Sequence, residues 1–342
     1  MKKLLALILL LTLFTSALTS CNFFNRDDDD NTATTKINVG YMEGPTGMGM
    51  AKLIHDSKTL GESSNYIFTK FKDVKDATAA LMAGTVDVAC LPTNNAATIY
   101  NTKDGAVKVL AVNCLNSLFL MTKTGTTVSS FAELEGKTIY TISNGTPKVI
   151  LEYALAEMGV NATISTKAVI NGNEKDLTQP SDLASALVTG AVDIALVPEP
   201  VATAAPLQIA SQSKDYTYSV AIDLSSVWSE ISDTPVAMGC LVGRTDFVNN
   251  NKDVVDKFLT DYKASIEYIS NPDNLDDSAS LIVDATVLGA VPAAKKSLNN
   301  LINQIAYKDG AEMRSILNAF YNSIDANLIG GKLPDDTFYY QK

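Results

Sequence analysis

Apolar positions along the chain alternate between two textures. Short, largely apolar runs at 86–91 and 107–115 have the form of strands buried on both faces. Shorter strand candidates fall at 37–42 and 66–71. Helical spacing fills the gaps. One stretch, 48–60, follows the turn Gly44-Pro45-Thr46-Gly47, and another covers 73–83. This order predicts repeated βα units and a largely parallel sheet.

The pattern restarts after residue 116. Strand candidates fall at 118–122, 138–142, 162–169 and 192–197, with short helix candidates at 128–134 and 183–189. Asn144-Gly145-Thr146-Pro147 precedes a helix that runs to Met158. Pro147 suits a first helical turn, where its missing N–H costs nothing. The stretch 216–227 has no clear period. One more strand is expected at 236–242, then helices at 251–269, 275–288, 295–307 and 312–324, punctuated by Pro272, Pro292 and Gly310. Val254, Val255, Phe258, Leu259, Tyr262 and Ile266 form a stripe suited to burial against the body of the fold.

The N-terminal run is of another kind. Lys2 and Lys3 precede an apolar segment, 4–18, which suits a signal-peptide core and is short for a membrane span. It ends Leu18-Thr19-Ser20-Cys21. A small residue directly before cysteine resembles the bacterial lipobox. That resemblance implies cleavage of 1–20 and a diacylglycerol on Cys21, with an ordinary secretory peptide as the alternative. Residues 21–36 then form the lipidated cysteine and a tether, with Asp27 to Asp30 in one self-repelling block.

A long internal echo organises the rest. Helix, Gly84, Asp87, an apolar strand and Pro92 are matched by helix, Gly190, Asp193, an apolar strand and Pro198. The interval of 106 residues is far too long for a solenoid. It fits two similar lobes that each place a post-strand loop at a common edge. Ligands of open parallel sheets bind beyond such strand ends.

The lipobox, the Gly44-Pro45-Thr46-Gly47 loop and the paired Gly-x-x-Asp-(Val/Ile)-Ala motifs together resemble a type II extracellular or periplasmic solute-binding lipoprotein of an ABC importer. Within that class the chain is similar to the nitrate, sulfonate, taurine and thiamine-precursor group. The resemblance covers about 37–330. It implies an α/β, two-lobed periplasmic-binding-protein-like fold of type II, with two mainly parallel sheets and a helical C-terminal part. Crossings between lobes are expected near Asn116 and Ser232. Lobe 1 would then hold 37–115 and 236–342, and lobe 2 would hold 116–235. The implied partners are a small solute, an ABC permease and, through the lipid, the outer side of the cell membrane. A monomer without a cofactor is expected.

Composition narrows the chemistry. The 342 residues carry a net charge of -11, with 46% hydrophobic and 19% charged positions. Disorder and nucleic-acid binding are therefore disfavoured. Only one histidine occurs, His55, which excludes a histidine-rich metal site. Cys90, Cys114 and Cys240 sit in apolar segments and suit buried thiols, with one disulfide as the alternative. Arg26, Arg244 and Arg314 are the only arginines, so no arginine clamp for a sulfonate or nitrate is evident. That scarcity favours a neutral or weakly polar nitrogen heterocycle, such as a pyrimidine-type precursor. Taurine, an alkanesulfonate or nitrate is the alternative solute.

Candidate ligand groups follow from the loop edges. Pro45, Thr46, Gly47 and Met48 open a helix after the first strand, where free N–H groups can hold an oxygen. Thr93, Asn94 and Asn95 occupy the matching loop after 86–91. Asn116 and Ser117 lie at a crossing. Gly145, Thr146 and Pro147 repeat the loop-to-helix arrangement in the second half. Glu199, between two prolines, can accept from an amine or a protonated ring nitrogen. Tyr41, Phe119 and Trp228 suit core burial first, with stacking on a ligand as the alternative. Asp87 and Asp193 suit turn or backbone hydrogen bonding. No dinucleotide fingerprint, Walker loop or nucleophile elbow occurs, so an enzyme on the same two-lobed fold is the lesser alternative, beside an adhesion lipoprotein.

Overall fold

The computed structural model describes residues 35–143 and 146–342. The expected leader, Cys21, most of the tether and Gly145 lie outside the described residues. Lys36–Lys342 form one compact unit.

The chain begins with β1 (Ile37–Met42), α1 (Pro45–Met48), α2 (Ala51–Leu60), β2 (Tyr66–Phe71), α3 (Val74–Ala83), β3 (Val88–Pro92), α4 (Thr93–Thr102) and β4 (Val107–Leu115). It then passes through β5 (Leu118–Lys123), β6 (Thr138–Tyr140), α5 (Thr146–Glu157), β7 (Thr163–Ser165), β8 (Lys167–Ile170), β9 (Asn173–Asp176), α6 (Pro180–Val188), β10 (Ile194–Pro198), α7 (Val201–Ser211), β11 (Tyr218–Asp223) and α8 (Leu224–Ile231). It returns through β12 (Ala237–Arg244), α9 (Thr245–Asn250), α10 (Lys252–Ile269), α11 (Leu275–Asp284), α12 (Val291–Leu301), β13 (Ile305–Lys308) and α13 (Gly310–Asn322).

Two sheets result, one per lobe. The first has the order β13-β4-β12-β3-β1-β2 and the second β11-β5-β10-β6-β7, while β8 and β9 form a separate hairpin. Both sheets are mixed. In the second, β6 pairs in parallel with β7 and β10, whereas β5 runs antiparallel to β10 and β11. In the first, β1 pairs in parallel with β2 and β3, whereas β12 runs antiparallel to β3 and β4, and β13 antiparallel to β4. The reversal of β5 and β12 follows from the crossings. The parallel strands end at the edge where the lobes meet. β5 and β12 enter their sheets there, Leu118 opposite Pro198 and Gly239 opposite Pro92, and so must run backwards.

Local chemistry explains the element ends. The Asp73 side chain accepts from the Asp76 amide and caps α3, which stops at Gly84 in the left-handed region at φ 74°. Gln179 and Asp182 form a capping box on α6, with Pro180 in its first turn. α10 buries Val255, Phe258, Leu259, Tyr262 and Ile266 against one face of the first sheet, as the apolar stripe predicts. A continuous apolar cluster joins the lobes, from Val112 and Leu115 through Leu118 and Leu120 to Trp228 and Ala237.

Several expectations need correction. The helix expected over 295–307 ends at Leu301, and Ile305–Lys308 is instead the edge strand β13, held by pairing with β4. The helix expected at 275–288 stops at Asp284. The strand expected at 162–169 is divided into β7 and β8, and β9 pairs with β8 although its residues are all exposed. The unclear stretch 216–227 resolves into β11 and the start of α8.

Candidate functional site

Two loop-to-helix corners face each other at the strand ends. In the first lobe β3 ends at Pro92 and α4 starts at once with Thr93. In the second lobe α5 starts at Thr146, followed by Pro147. The corners touch through the Thr146 hydroxyl, which donates to Asn94 Oδ1 at 3.3 Å. Thr93 itself is fully buried. Its hydroxyl donates to the Ala237 carbonyl, and its own carbonyl accepts from Tyr321 at 2.8 Å. Thr93 therefore holds the corner, while the half-buried Asn94 reaches across. Asn95 turns away and accepts from Thr78 on α3 at 3.1 Å.

The loop after β1 also reaches the second lobe. Gly44 has φ 89°, a conformation suited to glycine. A Cβ there would lie 3.5 Å from Pro200 Cδ and 3.8 Å from the Glu199 carbonyl, so this first-lobe loop abuts the second lobe. At Gly47 a Cβ would stand 2.0 Å from the Met42 carbonyl, so only glycine lets α1 fold back over the strand end. Thr46 lies over β12, where a side chain on Gly239 would strike its methyl at 2.2 Å. Pro45 and Thr46 are half-buried and Met48 is part of the core.

Asn116 adopts φ 46° at the first crossing. Its amide donates to the Val236 carbonyl at 3.0 Å, and its Oδ1 accepts from the Val236 amide at 2.8 Å. The two crossings are thus tied to each other. Ser117 is buried, and its carbonyl accepts from the Glu199 amide at 3.2 Å.

Glu199 is 1% exposed and its carboxylate is filled by protein donors. Oε1 accepts from Asn300 Nδ2 at 2.7 Å and the Thr203 hydroxyl at 2.9 Å. Oε2 accepts from the Ser297 hydroxyl at 3.1 Å and the Thr203 amide at 3.3 Å. Burial pushes its pKa up, and the hydrogen bonds from Asn300, Thr203 and Ser297 pull against that shift.

The candidate rings are taken up in the cores. Tyr41 donates to the Ala285 carbonyl at 2.9 Å and lies edge-on to Phe68. Phe119 is buried in the second-lobe cluster with Val197 and Ile142. Trp228 is 2% exposed, donates to the Thr234 carbonyl at 2.8 Å and packs on Tyr153. Cys90, Cys114 and Cys240 are all free and buried. Burial pushes the Cys90 and Cys114 thiols up to about 12, which keeps them protonated and inert.

Sequence reasoning missed Asn113, Ser297 and Asn300. Asn113 is a polar residue in the apolar run of β4, and that interruption was a readable signal. It occupies a bulge opposite β12, and its Nδ2 donates to Tyr262 at 2.9 Å and to Cys90 Sγ at 3.2 Å. Ser297 and Asn300 give no such signal, since polar residues on an amphipathic helix are ordinary. Among the described residues, no group of three or more His, Cys, Asp or Glu side chains could hold a metal ion. Both described arginines are ion-paired elsewhere, Arg244 with Asp87 and Asp246, and Arg314 with Asp336.

The family model "NMT1/THI5 like" matches residues 67–275. The chain belongs to that family. No curated protein matches it in sequence. Among solved structures, an ABC transporter from Parabacteroides distasonis is similar with a TM-score of 0.71 and 18% identity, over 90% of this chain and 99% of that one. The periplasmic aliphatic sulphonate binding protein from Escherichia coli gives 0.66 and 16%, over 90% and 92%. The ligand-binding component of an ABC-type import system from Staphylococcus aureus, solved with zinc bound, gives 0.65 and 16%, over 90% and 96%. The two-lobed architecture of this family member is that of the type II periplasmic binding proteins.

Proposed function

We propose that this chain is the solute receptor of an ABC importer, capturing a small polar solute between its lobes and handing it to a permease. The carrying observation is the meeting of the Asn94 and Thr146 corners across the two lobes. The proposed lobes are 37–115 with 236–342, and 116–235. Pro45, Thr46, Asn94, Thr146 and Pro147 form the proposed contact set, and Gly145, outside the described residues, is included from its sequence position alone. Asn116 and Ser117 serve the crossing, and capture involves no bond-making chemistry.

The mechanism is conformational. The open form admits the solute, and contacts from both corners favour the closed form, which docks on the permease. Cys21 as a lipid attachment point would keep the receptor beside that permease on the outer membrane face. Two or more acyl chains are needed for stable anchoring.

An oxyanion such as a sulfonate is the favoured solute class, as in the E. coli relative. In this chain the N-terminal turns of α4 and α5 would supply N–H donors in place of an arginine. A neutral nitrogen heterocycle is the second reading, supported by the pairing of both described arginines away from the corners. Titration calorimetry against taurine, alkanesulfonates, nitrate and pyrimidines separates the two. Binding by sulfonates alone supports the first, and binding by pyrimidines alone supports the second. Turnover of a bound compound would overturn both in favour of an enzyme.

A further inference from the structure

We infer that Glu199 is a positioning residue that clasps the second lobe to α12 of the first and so fixes the axis about which the lobes move. Its carboxylate has about four acceptor positions. Four donors fill them: the Thr203 hydroxyl and amide, Ser297 and Asn300. None is left to receive a solute.

The donors come from both lobes. Thr203 lies on α7, one turn beyond Glu199 itself. Ser297 and Asn300 lie on α12, which packs in the first-lobe core beside α11 through Ala294, Leu298 and Leu301 and leads into β13. One buried carboxylate therefore joins a helix of the second lobe to a helix of the first.

Its place in the fold matters as much. The Glu199 amide donates to Ser117, next to the crossing where Asn116 and Val236 are bonded to each other. The Glu199 carbonyl and the Pro200 ring lie against Gly44 of the first lobe. Two adjacent crossings alone leave the lobes free to bend and to twist. The bonds to α12 add a third attachment beside the two crossings, and in this inference the three together define the line about which the lobes bend and oppose twist about any other. The contact holds because a buried charge without its donors is costly, so each donor removed exposes the cost of the whole arrangement.

The test needs no solute, so its failure leaves the capture reading untouched. Spin labels on Lys75→Cys in the first lobe and Lys214→Cys in the second report the interlobe distance by pulsed electron resonance. The native thiols at Cys90, Cys114 and Cys240 are buried and do not compete for label. Cys21→Ser removes the remaining one. Glu199→Ala and Asn300→Ala are expected to broaden the distance distribution and shift its mean, while hydrogen exchange in β3 and β10 keeps its protection. Glu199→Gln keeps an oxygen for Asn300 and the Thr203 hydroxyl and an amide that can donate to Ser297, loses only the long bond from the Thr203 amide, and is expected to restore most of the narrow distribution. Unchanged distributions in Glu199→Ala and Asn300→Ala would overturn the inference. So would lost protection in both β3 and β10, which would make the role one of general stability. Where Glu199→Ala does not fold, Asn300→Ala reads the same contact from the first lobe.

Discussion

Arg244 brings one end of its guanidinium against Gly84. A Cβ on that glycine would stand 2.7 Å from Arg244 Nη1, and the same guanidinium reaches Asp87 Oδ1 at 3.1 Å. The other lobe repeats the device with a different cation. Lys123 Nζ donates to the Gly190 carbonyl at 2.8 Å, and a Cβ on Gly190 would lie 3.2 Å from it. In each lobe a left-handed glycine ends a helix and leaves room for a cation at the negative end of the helix dipole. The sequence echo is thus a packing echo. Its two aspartates have diverged. Asp87 is buried and accepts from the Asn38 amide and side chain, both at 2.9 Å, whereas Asp193 is exposed.

Stability should therefore respond unequally at the two copies. Asp87→Ala leaves the Asn38 donors without their acceptor and Arg244 with only its exposed partner Asp246, a loss of about 3 kcal/mol. Asp193→Ala should change stability by less than about 0.5 kcal/mol, as for an ordinary surface site. Urea unfolding of the two variants checks this, and equal losses would contradict the divergence.

The limits of the sequence show in the same places. The glycine caps and buried strands were legible because they are local: a helix stop, then an apolar run. Edge strand β13 was not. Its four residues, Ile-Ala-Tyr-Lys, follow a helix without a turn signal, and they are a strand only because β4 lies beside them. The same holds for Glu199. A carboxylate between prolines reads as accessible, and its Ser297 and Asn300 partners lie about 100 residues away in sequence. Tyr41 and Trp228 were readable as buried or stacking, but the choice depended on Ala285 and Thr234, contacts set by the fold and by a loop.

Glu199 should also mark the pH dependence of stability. Its folded pKa is raised above the ordinary 4.5, because burial disfavours the carboxylate. The folded state then holds the proton more tightly than the unfolded state. Stability falls as pH rises from about 4.5 through the folded value, and levels off above it. Glu199→Gln has no such proton, so the difference between the two proteins should change over that window only. Denaturant midpoints at closely spaced pH values read the effect, and a parallel pair of curves would argue against it.

Asp335 has the opposite sign. Hydrogen bonds from Tyr100 and Thr337 hold its carboxyl down at about 2 against an ordinary 3.8. The contribution is present above the ordinary value and is lost as pH falls from 3.8 towards 2. Asp335→Asn should match the wild type at the acid end of that window and fall below it at neutral pH. The difference should be modest, because the group is open to solvent.

The lone tryptophan offers a direct view of the second crossing. Trp228 is buried, and its indole N–H is bonded to the Thr234 carbonyl in the segment that returns the chain to the first lobe. Its emission should be that of a shielded indole, weakly quenched by iodide. Addition of a bound solute should shift the emission, because closure moves the segment that carries Thr234. No shift on saturating solute would mean that the return crossing stays still while the lobes close.

The meeting of Asn94 and Thr146 gives the most direct test of capture between lobes. Their hydrogen bond, at 3.3 Å, joins α4 to α5 and exists only while the corners face each other. Asn94→Ala and Thr146→Val should each weaken binding of the solute that calorimetry identifies. The bond itself contributes about 0.5–1.5 kcal/mol, so each variant should lose roughly 2-fold to 12-fold in affinity before any lost solute contact is added. The double variant decides between shared and separate roles. If the two side chains act through their mutual bond, the double variant loses little more than either single one, and the coupling energy is close to the bond's own value. If each instead contacts the solute independently, the losses add. Additive losses would leave capture intact and remove the direct bond as a contributor to closure. Full affinity in all three variants would remove the corners from the site altogether.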